Sequence, residues 1–208
     1  MIRWPADRNP NNLILKDFSI VLASGSRYRQ ALLERLGVPF STWSPDVDES
    51  PRPGEAPAET AVRLARDKAV AAAARFPEAV VIGSDQVADL EGVPMGKPGT
   101  RERAAEQLRR QAGHTVVFHT AVCVIEGGSG RTLERVVPTA VRFRALTEAE
   151  ITRYLDREAA LDCAGAAKAE ALGIALLEAS SSEDPTALIG LPLIAVAALL
   201  REAGVAVP

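Results

Sequence analysis

Leu22-Ala23-Ser24-Gly25-Ser26-Arg27-Tyr28-Arg29 is the stretch on which the reading of this chain turns. The apolar run Ile20-Val21-Leu22-Ala23 enters it and reads as a buried strand. A helical pattern leaves it, with Ala31, Leu32, Leu33 and Leu36 on one side and Gly37 as the stop. The small residues between them form a strand-to-helix corner. Such a corner offers an anion free backbone N–H groups and the positive end of a helix dipole. Ser26 can cap the helix, and Arg27 and Arg29 can add charge-assisted bonds to a phosphate. An ordinary βα turn with solvated arginines has the same signature, so the local pattern leaves both readings open.

The totals narrow the field. A chain of 208 residues with 47% hydrophobic residues can bury a sizeable core, with one domain as the default. We expect a single α/β domain over residues 19–208, after a polar, surface-lying or partly disordered extension over residues 1–18. A net charge of −3 leaves no basic footprint for nucleic acid. No apolar run is long enough to span a bilayer. Cys123 and Cys163 lack metal-type spacing, so a reduced, cytoplasmic setting is the simplest inference.

Downstream, residues 39–44 read as a short strand running into an acidic, Pro-rich loop that holds Asp46, Asp48 and Glu49. Those carboxylates suit a divalent cation, or simply solvent. A long helix is expected over residues 58–76, with Ala61, Val62, Leu64, Ala65, Ala69, Ala72 and Ala73 as its apolar stripe. Lys68 lies on that stripe, one turn from Leu64 and from Ala72, so it must snorkel out or meet an anion. Residues 79–85 form a buried strand with Asp85 at its carboxyl end, and the strand pattern continues to Leu90 before a turn at Glu91-Gly92. Gly96-Lys97-Pro98 then presents a lysine from a tight segment.

A helix over residues 100–112 precedes two β-rich runs, 116–126 and 131–143, joined by Gly127-Gly128-Ser129-Gly130, a hairpin signal. His114 and His119 are an odd number of residues apart, which places them on opposite strand faces and argues against a shared metal. Thr147 to Glu150 forms a capping box for a helix ending near residue 158. The small-residue segment 162–170 permits close approach of a ligand or another backbone. We expect a strand over 174–178, a loop over 180–185 and an apolar last helix over 193–202, begun at Pro192 and stopped by Gly204.

Seven motifs then stand in one order: Leu22-Ala23-Ser24-x-Ser26-x-x-Arg29, Asp48-Glu49, Arg63-Leu64-Ala65-x-x-Lys68-Ala69, Gly83-Ser84-Asp85, Gly96-Lys97-Pro98, Ala164-Gly165 and Gly190-Leu191-Pro192-Leu193. In this order they resemble the Maf-like proteins, nucleoside triphosphate pyrophosphatases once described as septum-formation inhibitors. The resemblance covers nearly everything from Ser19 onward. It implies an α/β fold of the Maf/inosine triphosphate pyrophosphatase type: a central mixed sheet flanked by helices, in two lobes with a cleft between them. Members are often homodimers, which the sequence itself does not show.

Within the family the chain resembles the branch acting on 7-methyl-GTP rather than the dTTP/UTP branch. Tyr28 stands where the former has Trp and the latter Arg, Gln86 where the latter has Thr, and Glu170 where the latter has Gln. Arg27 replaces the family's usual Pro, and Leu172 an aromatic before Gly173.

The resemblance implies cleavage between the α- and β-phosphates of a small-molecule nucleoside triphosphate, giving a nucleoside monophosphate and diphosphate. Ser24, Ser26 and Arg29 would cradle phosphate oxygens. Lys68 and Lys97 would stabilise charge on the reacting phosphate and the leaving group. Glu49 and Asp85 would bind a divalent cation, Mg²⁺, Mn²⁺ or Co²⁺, with Asp85 as proton acceptor. An ordinary Asp, with a pKa of about 3.9, is a weak base, and a metal would compensate by acidifying the water. Glu170 would offset the positive charge of a 7-methylguanine ring, and the face of Tyr28 would stack on it. Two alternatives remain: a dTTP/UTP pyrophosphatase of the same family, and a nucleotide-binding regulator of cell division without required turnover.

Overall fold

The computed structural model describes residues 19–158 and 160–207; the extension expected over residues 1–18 lies outside them. In chain order the elements are β1 (Ile20–Leu22), α1 (Arg27–Leu33), β2 (Ser41–Thr42), α2 (Pro57–Arg75), β3 (Val80–Leu90), β4 (Val93–Met95), α3 (Arg101–Gln111), β5 (Thr115–Ile125), β6 (Thr132–Phe143), α4 (Glu148–Arg157), β7 (Leu177–Ser182) and α5 (Leu193–Glu202). The strands form one mixed sheet in the order β2-β1-β3-β5-β6-β7, with β4 also on β3. The β2-β1-β3 part is parallel and the rest antiparallel.

Strand alternation distributes the core. Ile20, Leu22, Val80 and Ile82 face α1 and α5, where Leu32, Leu33, Val196, Leu199 and Leu200 are buried. Val21, Ala23, Val81 and Val87 face the alanine stripe of α2, Ala61, Ala65, Ala69 and Ala72. A third cluster, with Ala88, Leu108, Phe118, Phe143, Ile151 and Tyr154, packs the far end of the sheet against α3 and α4. Fully burying one such large side chain is worth about 1.5–3 kcal/mol.

The feature that matters for function lies on one edge of β3. Residues Ile20 to Leu22 of β1 pair with Val80 to Ile82, and Val93 to Met95 of β4 pair with Ala88 to Leu90. Between these partners, residues 83–87 have no neighbouring strand on that side among the described residues. The sheet forks there, and Asp85 sits at the middle of the fork.

Some local expectations are corrected. Helix α1 has only seven residues and passes into a 3₁₀ turn before Gly37 at φ 67°, and Ala31 is exposed rather than part of the apolar side. The strand expected over 174–178 is a 3₁₀ turn over Leu172–Leu176, and β7 then runs through Ser180, Ser181 and Ser182, where a loop was expected. Leu-Glu-Ala-Ser-Ser-Ser lacks the β-branched and aromatic residues that signal a strand. It is held by backbone pairing with β6 and is largely exposed.

Candidate active site

Side-chain parity along β3 sorts the site. Odd positions face α2, so Gly83 packs on it and Asp85 points at it. A Cβ on Gly83 would fall 2.2 Å from the Ala65 carbonyl oxygen and 2.7 Å from the Ala69 nitrogen. Only glycine permits this approach. It brings Lys68 against Asp85: Lys68 Nζ lies 2.6 Å from Asp85 Oδ1 and 2.6 Å from Glu49 Oε1. Lys68 is 7% exposed, so the ammonium has met carboxylates instead of snorkelling out.

Of the acidic loop, Glu49 alone reaches this centre. Asp48 Oδ1 instead accepts from Ser50 N at 2.9 Å and closes a local turn. The loop is anchored to α2 by Arg63, which the sequence reading quoted in a motif without a role, and by Glu55, which it did not select. Arg63 donates to both Glu55 oxygens, at 2.6 and 2.8 Å, and to the Ser50 carbonyl at 3.1 Å. That bidentate bond holds the Glu55 carboxyl down at about 2. Burial pushes the Glu49 carboxyl up, but its hydrogen bond to Lys68 and the nearby Lys97 and Arg29 charges outweigh this and leave it below the ordinary range.

At the strand-to-helix corner Ser26 caps α1, accepting from Arg29 N at 3.4 Å, and Ser24 Oγ accepts from Ser26 N at 3.1 Å. With Ser24 N donating to Leu22 O at 2.9 Å, three of the corner's N–H groups are taken, whereas those of Gly25, Arg27 and Tyr28 meet no protein acceptor among the described residues. A helix this short adds little dipole, so direct donors matter more. Arg29 is anchored through Nε to the Gly190 carbonyl at 2.8 Å, and burial lowers its pKa against the pull of Asp85 and Glu49.

The Glu49–Lys68–Asp85 centre and the strand-to-helix corner open onto one cleft of about 720 Å³. Ser24, Ser26, Tyr28, Arg29, Glu49, Lys68, Asp85 and Gln86 line it together with Lys97, which follows β4, and Glu170. The Lys97 segment is fixed by Gln107 Nε2 donating to the Gly96 carbonyl at 3.0 Å. A cleft with serine hydroxyls, cations and two carboxylates can bind a polyanion and hold a proton acceptor near it.

A family model of the Maf-like proteins matches residues 19–203. The chain belongs to the Maf-like family. It is 57% identical over 189 residues, 91% of this chain and 97% of the relative, to a 7-methyl-GTP pyrophosphatase of Aromatoleum aromaticum. It is 59% identical over 189 residues, 91% of this chain and 98% of the relative, to one of Xanthomonas axonopodis pv. citri. With one of Bordetella pertussis it shares 56% over 185 residues, 89% of this chain and 92% of the relative.

Every site residue read from this Maf-like sequence thus lies on one cleft, but two are arranged otherwise than expected. Gln86, at an even position of β3, faces away from Asp85. Its Nε2 donates to Thr120 Oγ1 at 2.9 Å and to the Ala187 and Leu188 carbonyls at 2.9 and 3.1 Å. Its amide nitrogen therefore pins the loop that ends in Gly190, the anchor of Arg29. Ser84 Oγ, which donates to the Ala121 carbonyl at 2.8 Å, lies 3.2 Å from the same Gly190 O. Tyr28 does not offer two open ring faces: the Arg27 guanidinium lies 4.9 Å from its centroid.

Other contributors went unread. Asp184, 2% exposed, accepts from Thr186 N, Thr186 Oγ1 and Ile194 N and so ties the 187–189 turn to the start of α5. Only an Asp ahead of a helix start hinted at it. His119 Nε2 meets Asp89 Oδ2 at 3.3 Å while His114 Nδ1 meets Ala112 O, so the histidines share no partner. Among the described residues no group of three or more His, Cys, Asp or Glu forms a ready-made metal site. None of their helices is long and apolar enough to cross a membrane.

Proposed function

We propose that this protein is a nucleoside triphosphate pyrophosphatase that hydrolyses 7-methyl-GTP to 7-methyl-GMP and diphosphate. The observation that carries the reading is the convergence of Glu49, Lys68 and Asp85 on one cleft with the Ser24–Arg29 corner. The names of the relatives at 56–59% identity support the substrate.

The triphosphate lies along the corner, with the Ser24 and Ser26 hydroxyls, the N–H groups and Arg29 holding its oxygens. A water bonds to the α-phosphorus. The bond from that phosphorus to the oxygen bridging to the β-phosphorus breaks, and its electron pair leaves with diphosphate. The Asp85 carboxylate takes the water's proton, oriented by Lys68 on its Oδ1. Lys68 and Lys97 offset the charge that grows on the leaving group.

The donor set suits a hard divalent cation held jointly with substrate: the Glu49 and Asp85 carboxylates, which both meet the Lys68 ammonium, would offer it oxygens, and phosphate oxygens and water would have to complete its shell. Glu49 and Asp85 would hold Mg²⁺, Mn²⁺ or Co²⁺, which would acidify the water and neutralise phosphate charge. On the same cleft, Glu170 offsets the charge of a 7-methylguanine ring, and the ring takes the face of Tyr28 opposite Arg27.

The test is a panel of ordinary and modified nucleoside triphosphates with Mg²⁺, following diphosphate release, in the wild type and in Glu170→Gln. The reading requires 7-methyl-GTP to have the highest kcat/KM and Glu170→Gln to erode its lead. A preference for dTTP or UTP would replace it with the other branch's activity.

A further inference from the structure

Thr120 is fully buried on a face of β5 that is otherwise apolar. Phe118 on one side of it packs with α3 and α4, and Val122 on the other packs with α1 and α5, so Thr120 stands where two core clusters meet. A hydroxyl buried there is costly unless it is paired. Thr120 lies directly across from Gln86 in the pairing of β3 with β5. Its Oγ1 accepts from Gln86 Nε2 at 2.9 Å and donates to the Ala187 carbonyl at 2.9 Å. The same carbonyl accepts from Gly190 N at 2.9 Å, which closes the turn over residues 187–190. Gly190, at φ 118°, then presents its own carbonyl to Arg29 Nε at 2.8 Å. With Nε held, the Nη groups of Arg29 meet no protein acceptor among the described residues, and Arg29 lines the cleft.

We propose that Thr120 is a positioning residue for the phosphate grip: its hydroxyl holds the 187–190 turn so that the Gly190 carbonyl fixes the Arg29 guanidinium with its Nη groups free for phosphate oxygens. This rests on the reading above that Arg29 holds the triphosphate. Thr120 does not line the cleft and does not touch the substrate. It acts through Ala187, Gly190 and Arg29 in turn. That chain of contacts leads to the Ser24–Arg29 corner and not to Glu170, so the tie acts on the phosphates and not on the base. A guanidinium anchored at Nε has less freedom left to lose when its other N–H groups bind, and the benefit appears as affinity.

Thr120→Val keeps the branched shape and removes the hydroxyl; Thr120→Ser keeps the hydroxyl. Thr120→Val is expected to raise KM for 7-methyl-GTP about three- to tenfold with kcat within about twofold of wild type, the scale of one neutral hydrogen bond acting on binding. Inhibition by inorganic tripolyphosphate, which has no base, should weaken by the same factor, and the preference among triphosphates should stay that of the wild type. Thr120→Ser should keep most of the affinity. In an Arg29→Lys background, which lacks the Nε anchor, Thr120→Val should cost no further affinity. Unchanged KM and inhibition in Thr120→Val, even with a lower melting temperature, would overturn the proposal. So would a changed preference among bases, or losses that multiply in the Arg29→Lys background. If Thr120→Val does not fold, Thr120→Cys, a weaker donor of similar size, is read by the same criteria. The two readings fail apart. Arg29→Lys with unchanged tripolyphosphate inhibition would remove Arg29 from the phosphate grip and this proposal with it. Arg29→Lys that loses inhibition while Thr120→Val does not would overturn this proposal alone.

Discussion

Lys68→Met is the perturbation whose consequences are most fully determined by the structure. The ammonium sits 2.6 Å from both carboxylates, but the two contacts differ in surroundings: the Asp85 side chain is 12% exposed and that of Glu49 54%. Opposite unit charges about 4 Å apart attract by about 4 kcal/mol at an effective dielectric of about 20. Breaking a buried pair by removing one partner costs about 3–5 kcal/mol, whereas a solvent-screened contact such as that to Glu49 adds about 0–1 kcal/mol. The folded state should therefore lose about 3 kcal/mol, which for a chain of this size lowers Tm by about 6–12 °C. Mg²⁺ should return part of that loss, because the two freed carboxylates can then share the cation. Catalysis should suffer more, since a cation aimed at developing phosphate charge is worth about 10²–10³ in kcat. The assays are a thermal melt with and without Mg²⁺ and diphosphate release from 7-methyl-GTP. A variant melting within about 2 °C of wild type and keeping kcat within roughly threefold would refute both the buried pair and its catalytic role.

Three further outcomes follow from the same geometry. Gly83→Ala places a methyl on the Ala65 carbonyl, so β3 and α2 must part; a loss of about 1–3 kcal/mol in a denaturant melt should accompany a drop in kcat as Lys68 and Asp85 separate. Glu55→Gln releases the Arg63 anchor of the Glu49 loop and should lower kcat severalfold. The Glu55 carboxyl is held at about 2 in the folded protein against an ordinary 4.5, so its contribution is complete above pH about 4.5 and is lost as pH falls through about 2. The difference in Tm between wild type and Glu55→Gln should narrow over that acid range and stay constant above it. Asp85→Asn should still bind 7-methyl-GTP, measured by calorimetry, but lose hydrolysis; normal turnover would remove Asp85 as the proton acceptor.

Much of this arrangement was legible in the chain, and the limits have physical causes. The stripe of α2 exposed Lys68 as an anomaly because helical periodicity places residues 61, 64, 65, 68, 69 and 72 on one face without any knowledge of the fold. Asp85 was picked out as the carboxyl end of a strand, where open α/β sheets place their ligands, but β3 runs on to Leu90; Asp85 faces the cleft from mid-strand because the sheet forks beside it. Alternation would also have told Gln86 apart from Asp85, since neighbouring strand residues face opposite ways; the bond from Gln86 to the Ala187 carbonyl is the result. The fork in the sheet was not legible, because which edge of β3 is left bare depends on pairings between distant segments. Nor was β7, a strand made by its neighbour's hydrogen bonds rather than by its own side chains.

The central claim is that water reaches the innermost phosphorus of the triphosphate at the Asp85–Lys68–Glu49 centre. Hydrolysis of 7-methyl-GTP in ¹⁸O-labelled water with Mg²⁺, followed by mass spectrometry of the products, tests it most directly. The account predicts the label in 7-methyl-GMP and none in diphosphate. Label in diphosphate, or release of inorganic phosphate instead, would contradict it.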